Sequence, residues 1–511
     1  MGDPTLVQIE STSAGLAAHL PAAVHHFRTE FGDHALVVNG SRVFTLPHEV
    51  AEMLNQTRAE EVEPLLERLG ISGAPFIDDA PLSSPPLRSL SLAIAQRCNL
   101  ACTYCYAQEG GFGQEEHAMS RETAFAAVDL LFAEAEPGDR VQLTFLGGEP
   151  LIHRDLLYEC TERAAILAGR RGTQTSYSLT TNGTLVKPED ADFFERHGFA
   201  VTVSLDGLAE TNDRLRSFKD GRGSYGRVIS RVRPLIEAQR HMQVSARVTV
   251  TPDNLRLSET LIAFLELGFH SVGFSPVLRS PRGLGEMSAV NLEAMLTAMI
   301  ECGREFERRV HRGERFAFAN LYTALHEIHK GTHRPYPSGA GAGYLGVSAE
   351  GGLYACHRFV QDPSGWMGNL TGGVDRTRQD AWLRERHVHR QEPCRSCWAR
   401  YLCGGGCHHE VIHRGRPACD YIRGWLDYSL EAYIRMLEIR PQFFGRDGAD
   451  RGGGLCAGRW SRRIISRSQT GAARAPRGSD REGGISAAAY RRVADGVGNP
   501  ANGSSGSARE G

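Results

Sequence analysis

Ser91-Leu-Ala-Ile-Ala95-Gln-Arg-Cys98-Asn-Leu-Ala-Cys102-Thr-Tyr-Cys105-Tyr106 decides the reading of this chain. The apolar run 91–95 reads as a strand, and three cysteines spaced Cx3Cx2C follow it in a loop. Electron-transfer clusters of the 4Fe–4S type take four cysteine thiolates. Three thiolates leave one iron open to an outside ligand, so the loop points to chemistry at that iron. A zinc loop or a set of unrelated thiols is the competing reading.

The chain has 511 residues, room for two or three domains around a large core. Apolar residues make up 41% and the formal net charge is −2, so no basic excess points to nucleic acid or a membrane surface. No run of 18 apolar residues is present, and no transmembrane helix is expected. The N-terminal stretch lacks a basic segment followed by an apolar core, which argues against a signal peptide and for a cytoplasmic location. Met1-Gly-Asp-Pro-Thr-Leu has no Ser or Thr at its sixth position, against myristoylation. Twelve cysteines in such a chain favour metal or catalytic roles over disulfides.

Four parts are expected. Residues 1–85 form a small N-terminal region in which 34–45 reads as a hairpin across an Asn39-Gly40 turn. Helices over about 48–57 and 59–69 follow, the second ending at Gly70, and 81–87 is a Pro/Ser linker. Residues 86–300 alternate strands (90–95, 141–146, 175–181, 200–205, 244–250, 271–276) with helices (121–135, 154–169, 188–197, 224–239, 257–267). That alternation implies βα units on a parallel sheet. Six units are too few for a closed eight-stranded barrel, so a partial (β/α)6 barrel is expected, with active residues at the carboxyl ends of its strands. Residues 301–440 hold a second cysteine cluster. Residues 441–511 contain 15 Gly, 12 Arg and no Lys, and read as a disordered tail with little apolar surface to bury.

Further motifs close the strands of the 86–300 region. Gly147-Gly148-Glu149-Pro150 ends the second, where two glycines allow close backbone approach and a carboxylate can accept from an ammonium group. Asn182 ends the third strand and Ser204 the fourth, both short polar side chains suited to hydroxyl or carboxylate partners. Together with Cx3Cx2C these motifs resemble the radical S-adenosylmethionine (SAM) superfamily. The resemblance implies that Cys98, Cys102 and Cys105 hold the 4Fe–4S cluster at which SAM is cleaved to a 5′-deoxyadenosyl radical. It assigns Gly147, Gly148, Glu149, Pro150, Asn182 and Ser204 to SAM. Arg247 is either a partner for the SAM carboxylate or a strand-edge arginine paired with a surface acid. Arg214 and Arg216 are either substrate or SAM ligands or solvated loop arginines.

A second set, Cys394-x2-Cys397-x5-Cys403-x3-Cys407, precedes Cys419 and follows Cys356 of Gly351-x4-Cys356. Spacing alone leaves zinc open at four thiolates. The pattern resembles the SPASM extension of radical SAM peptide-modifying enzymes, which holds auxiliary 4Fe–4S clusters. By that resemblance Cys394, Cys397, Cys403 and Cys419 hold one cluster, and Cys356 and Cys407 belong to another. Ser338-Gly-Ala-Gly stands where relatives carry Cys-Gly-Ala-Gly, which puts the second auxiliary cluster in doubt. Cys160 and Cys302 lie in helical patterns and read as core residues, and Cys456 as functionless.

Within this group the substrate is a peptide or small protein, and a flavodoxin or ferredoxin supplies the electron. Anaerobic sulfatase maturases have an aspartate straight after the Gx4C cysteine, thought to take up a proton. This chain has His357 there, the candidate catalytic residue, which argues against sulfatase maturation. Gly352-Leu-Tyr-Ala-Cys-His-Arg-Phe359 is more similar to the enzymes that join Cys sulfur to Asp or Glu carbons in maturing quinohemoprotein amine dehydrogenase. Carbon–carbon crosslinking, epimerisation, formylglycine formation or a non-catalytic iron–sulfur scaffold are the alternatives. Residues 20–75 read either as a winged-helix-like peptide-recognition element or as a capping subdomain.

Overall fold

A computed structural model describes residues 22–73 and 77–445. The N-terminal region forms a three-stranded antiparallel sheet of β1 (Val24–Thr29), β2 (Gly32–Val37) and β3 (Arg42–Leu46). The expected hairpin is its second half, and β1 was not legible in the pattern. The tight turn is shifted by one residue: positive φ falls on Gly40 (91°) and Ser41 (47°), not on Asn39. Helices His48–Gln56 and Ala59–Leu69 follow, and Gly70 closes the second in the left-handed region at φ 70°. This unit rests on the cysteine-rich C-terminal part. The His25 and Trp398 rings stack 3.7 Å apart, and His25 Nε2 meets Asp427 Oδ1 at 2.5 Å.

The large sheet contains β4 (Ser89–Gln96), the short β5 (His117–Ala118), β6 (Arg140–Gly147), β7 (Gln174–Thr181), β8 (Ala200–Ser204), β9 (Gln243–Val250) and β10 (Val272–Pro276). Strands β4, β6, β7, β8, β9 and β10 pair in that order, all parallel, as the βα alternation predicts. Helices Arg121–Ala133, Arg154–Arg171, Pro188–Arg196, Tyr225–Ala238 and Leu257–Glu266 connect them.

The expected division at 300/301 does not follow the elements. It falls inside the 23-residue helix Ala289–His311, and β11 (Tyr344–Val347) pairs in parallel with β4. β12 (Gly352–Tyr354), β13 (Trp366–Asn369) and β14 (Gly373–Val374) continue the same sheet as an antiparallel meander. Cysteine positions carry no information about strand pairing. The expected tail also starts too early. Pro441–Phe444 is a helical turn whose Phe443 ring meets Phe306 at 5.9 Å and whose Phe444 ring stacks on His329 at 4.5 Å. Residues 446–511, with Cys456, lie outside the described residues. Cys160 and Cys302 are fully buried in helices.

Side chains alternate across the parallel strands. Val141, Leu143, Phe145, Tyr177, Leu179, Val201, Val203, Val244, Ala246 and Val248 are buried in the main core. Tyr177 marks that face as the helix side, because its hydroxyl reaches the Thr161 carbonyl in helix Arg154–Arg171. The opposite face carries Thr144, Ser178, Thr180, Thr202, Ser204, Ser245, Arg247 and Thr249, all half-buried or exposed. A closed eight-stranded barrel fills its interior with branched apolar side chains. This one has a polar, accessible lumen.

Candidate functional site

The three-cysteine loop leaves β4 at its carboxyl end and is pinned on two sides. Thr103 N–H donates to the Leu215 carbonyl at 3.1 Å and Ala101 N–H to the Ser217 carbonyl at 2.9 Å, tying it to the segment after β8. On the other side Gly148 N–H donates to the Ala95 carbonyl at 2.8 Å and Glu149 N–H to the Arg97 carbonyl at 2.9 Å. The two glycines of Gly147-Gly148-Glu149-Pro150 are required by that approach. Gly147 sits at φ 146°, where a Cβ would stand 2.4 Å from the Ala95 carbonyl oxygen; one on Gly148 would stand 2.2 Å from that of Arg97. They make room for the cysteine loop itself.

Glu149 and Asn182 are engaged within the chain. The fully buried Glu149 carboxylate accepts from Leu151 N–H (3.0 Å), the Thr181 hydroxyl (2.7 Å) and Asn182 N–H (2.7 Å). Burial raises its pKa, and the Asn182 and Thr181 donors oppose the shift. Asn182 Nδ2 donates to Asn99 Oδ1 at 2.9 Å and lies 3.7 Å from Cys98 Sγ, while its Oδ1 accepts from Thr184 N–H and the Thr184 hydroxyl. Both residues hold the ends of β6 and β7 against the cysteine loop. Ser204 lies in the lumen, paired in register with Arg247.

Sequence reasoning missed the group behind the loop. Asp206, fully enclosed, accepts from the Tyr104 hydroxyl and, at Oδ1, from Thr249 N–H at 2.9 Å. Arg216 donates to the Tyr104 hydroxyl at 2.6 Å and stands 3.6 Å from Asp206. Arg216 is therefore a buried, paired cation rather than a solvated loop arginine. Asp206 and Arg216 lie ten residues apart, and Arg216 also fits a solvated loop, so no local signal joined them.

Burial pushes the Cys98 thiol up to about 11, with Glu149 adding to the shift, and the Cys102 thiol up to about 12; Arg216 opposes both. Left alone, these thiols stay protonated at neutral pH. A positively charged metal centre supplies the missing stabilisation of the thiolates, so the trio fits one. The cysteines Cys98, Cys102 and Cys105 act on one another electrostatically, as do Cys394, Cys397, Cys403 and Cys419, and as do Cys356 and Cys407. A single zinc ion would draw its sulfurs to about 3.8 Å of one another, given Zn–S bonds of about 2.3 Å. Among the described residues, no three cysteine sulfurs lie within 4.8 Å of one another. Spread thiols suit the separate corners of a multinuclear cluster better than one zinc.

The set with that compactness is Asp362, His409 and His413, whose ligand atoms all lie within 4.8 Å. Asp362 Oδ2 already meets His413 Nε2 at 2.6 Å. His409 and His413 are four apart on helix His408–Arg414, a spacing readable in the sequence, but nothing there brings Asp362 to them. Ser338 is exposed, and its loop runs beside Cys356: Gly341 N–H donates to the Ala355 carbonyl at 2.8 Å.

His357 follows Cys356 and faces the cysteine loop, its ring edge-on to Tyr106 at 6.1 Å. Its Nδ1 meets the Tyr344 hydroxyl at 2.8 Å, and that hydroxyl meets Ser91 Oγ at 2.9 Å. Burial, with Arg358 adding to it, lowers the His357 pKa to about 4, so the imidazole is neutral at pH 7. Arg358 pairs with Glu410 at 2.6 Å and lies over the Tyr106 ring, so the C-terminal part closes directly on the cysteine loop.

Comparisons with known proteins agree with this architecture. Residues 92–275 match the model of the Radical SAM superfamily. A serine-type anaerobic sulfatase-maturating enzyme of Klebsiella pneumoniae is 25% identical over 385 residues, 72% of this chain and 91% of that protein. The Fe-coproporphyrin III synthase of Methanosarcina barkeri is 33% identical over 175 residues, 34% of this chain and 39% of that protein. Among solved structures, anSMEcpe with bound AdoMet superposes with a TM-score of 0.58 at 20% identity, over 69% of this chain and all of that one. No described helix is long and apolar enough to cross a membrane. With three cysteines after the first strand of a six-stranded parallel sheet, and the superfamily match over residues 92–275 of that sheet, the comparisons indicate a radical SAM enzyme.

Proposed function

We propose that this enzyme modifies a peptide or small protein, closing a thioether between a substrate cysteine and a carbon of an acidic residue. As a radical SAM enzyme it uses a 4Fe–4S cluster and SAM, for which Cys98, Cys102 and Cys105 are the ligands. Gly147, Gly148, Glu149, Pro150 and Asn182 build the wall beside them, with Ser204 further along the lumen. Cys394, Cys397, Cys403 and Cys419 would hold an auxiliary cluster, and Cys356 and Cys407 part of another. These groups supply one-electron chemistry: hydrogen-atom abstraction at the first, electron uptake at the second.

The observation that carries the reading is the placement of His357. Joining a thiol to a C–H carbon removes one hydrogen atom, one proton and one electron. The His357 imidazole faces the cysteine loop and is steadied by Tyr344, which suits it to orient a substrate thiol by hydrogen bonding; its lowered pKa makes it a hydrogen-bond partner rather than a strong base. The open polar lumen supports a substrate that enters from outside, and residues 22–73 are a candidate for peptide recognition. Sulfatase maturation is the second reading, favoured by the Klebsiella pneumoniae relative, which is matched over 91% of its length.

Anaerobic incubation with SAM, dithionite and one of two synthetic peptides tests both readings. One peptide carries Cys and Asp, the other a sulfatase-type Ser. Loss of two hydrogens from the first, with its thiol closed to alkylation and 5′-deoxyadenosine formed, is expected. An aldehyde on the second peptide and no change in the first would replace the reading with sulfatase maturation.

A further inference from the structure

Among the described residues, Arg247 is a guanidinium on the polar face of the parallel sheet with no acid beside it. Arg247 projects from β9 on the polar face, exposed to the lumen although protein surrounds it on nearly every side. Its guanidinium lies over Gly273 of β10 and donates to Ser275 Oγ. Among the described residues, no carboxylate comes within ion-pairing distance of it, and Tyr421 is the ionisable side chain that acts on it. The surface-acid alternative from the sequence is thereby removed. A guanidinium held in a protein-walled space without a counter-charge is poised for an anion from outside.

That anion need not belong to SAM. A SAM carboxylate held near the three cysteines would find a cation there already. Arg216 acts on both Cys98 and Cys102. Arg247 sits on β9 beside Ser275 of β10, with Ser204 of β8 in register and Tyr421 of helix Cys419–Ile439 acting on it. We infer that Arg247 binds a carboxylate of the peptide substrate, with Ser275 fixing the guanidinium over Gly273. This rests on the reading that the substrate is a peptide. The carboxylate is supplied by an acidic side chain or by a peptide C-terminus.

The test uses the cluster-loaded enzyme with SAM under anaerobic calorimetry. Three probes are compared: N-acetyl-Cys-Asp-amide, N-acetyl-Cys-Asn-amide, and N-acetyl-Cys-Ala with a free carboxyl terminus. The wild type should bind a carboxylate probe about tenfold more tightly than the Asn probe. Preference for the Asp probe identifies a side-chain carboxylate, and preference for the Ala probe a chain terminus. Arg247→Met should abolish the preference and Arg247→Lys retain part of it, the lysine variant with its full iron content serving as the folding control. The dissociation constant for SAM should stay within about twofold in both variants. A roughly tenfold weaker SAM constant in Arg247→Met would overturn the inference and return Arg247 to SAM. Wild-type enzyme that binds no probe, or binds all three alike, would overturn it too. Failure of the thioether reading alone leaves the carboxylate preference intact.

Discussion

Glu149 Oε2 accepts the Asn182 backbone N–H at 2.7 Å, joining the carboxyl ends of the second and third parallel strands behind Cys98. The same carboxylate takes Thr181 and Leu151 on its other oxygen. The residue that the motif presents as a SAM ligand is therefore also the clamp that sets the wall around the cysteine loop.

Glu149→Gln should test the clamp. An amide presents a donor on one side, so one buried N–H or hydroxyl loses its acceptor, at a cost of about 1–3 kcal/mol. Thermal melting should show that loss, together with weaker SAM binding. An unchanged melting temperature would mean that the contacts are replaced at no cost.

Iron counts test the cysteine groups. Replacing Cys98, Cys102 and Cys105 with Ala should remove about four irons per chain and abolish 5′-deoxyadenosine formation. Persistent SAM cleavage in the triple variant would end the assignment.

The Cys356 and Cys407 site should be incomplete. Reconstituted wild-type enzyme should hold about eight irons, and Ser338→Cys should raise the count, because thiolate binds iron far better than hydroxyl does. A wild type with about twelve irons that Ser338→Cys leaves unchanged would show that other ligands complete the site.

His387 should make stability depend on pH. It is 1% exposed, its Nδ1 accepts the His389 N–H at 3.2 Å, and burial, with His389 adding to it, lowers its pKa to about 4. The unfolded chain takes up a proton near pH 6.5 that the folded chain refuses until about pH 4. Stability should thus fall as pH drops through that window, by at most about 1.4 kcal/mol per pH unit. Comparing melting curves of wild type and His387→Gln from neutral to mildly acidic pH checks this; the variant should show the shallower slope.

Truncation tests the contacts of the last described turn. Removing 446–511 should leave melting temperature and SAM cleavage unchanged. Removing 441–511 also takes away Phe443 and Phe444, and should cost about 1–3 kcal/mol. Equal melting temperatures for the two truncations would show that the aromatic contacts contribute nothing.

The sequence by itself determined the order and spacing of the alternating strands and helices between 88 and 276. Strand 141–146 and helix 154–169 came out within two residues of Arg140–Gly147 and Arg154–Arg171, because period-2 and period-3.6 patterns are local. Cx3Cx2C and the following Gly-Gly-Glu-Pro were legible because each is a short run of chain with a fixed spacing, although the contacts it makes are not local. What only the tertiary structure decided are pairings across long separations: β11 on β4, Asp362 beside His413, and Arg216 against Tyr104, 112 residues away. Arg247 shows why. Its sequence context fits a lumen cation and a surface ion pair equally well, since local pattern gives the face of a strand but not what stands opposite. The placement of Arg247 on the polar face of the parallel sheet, with no acid among the described residues facing that side chain, decided between them.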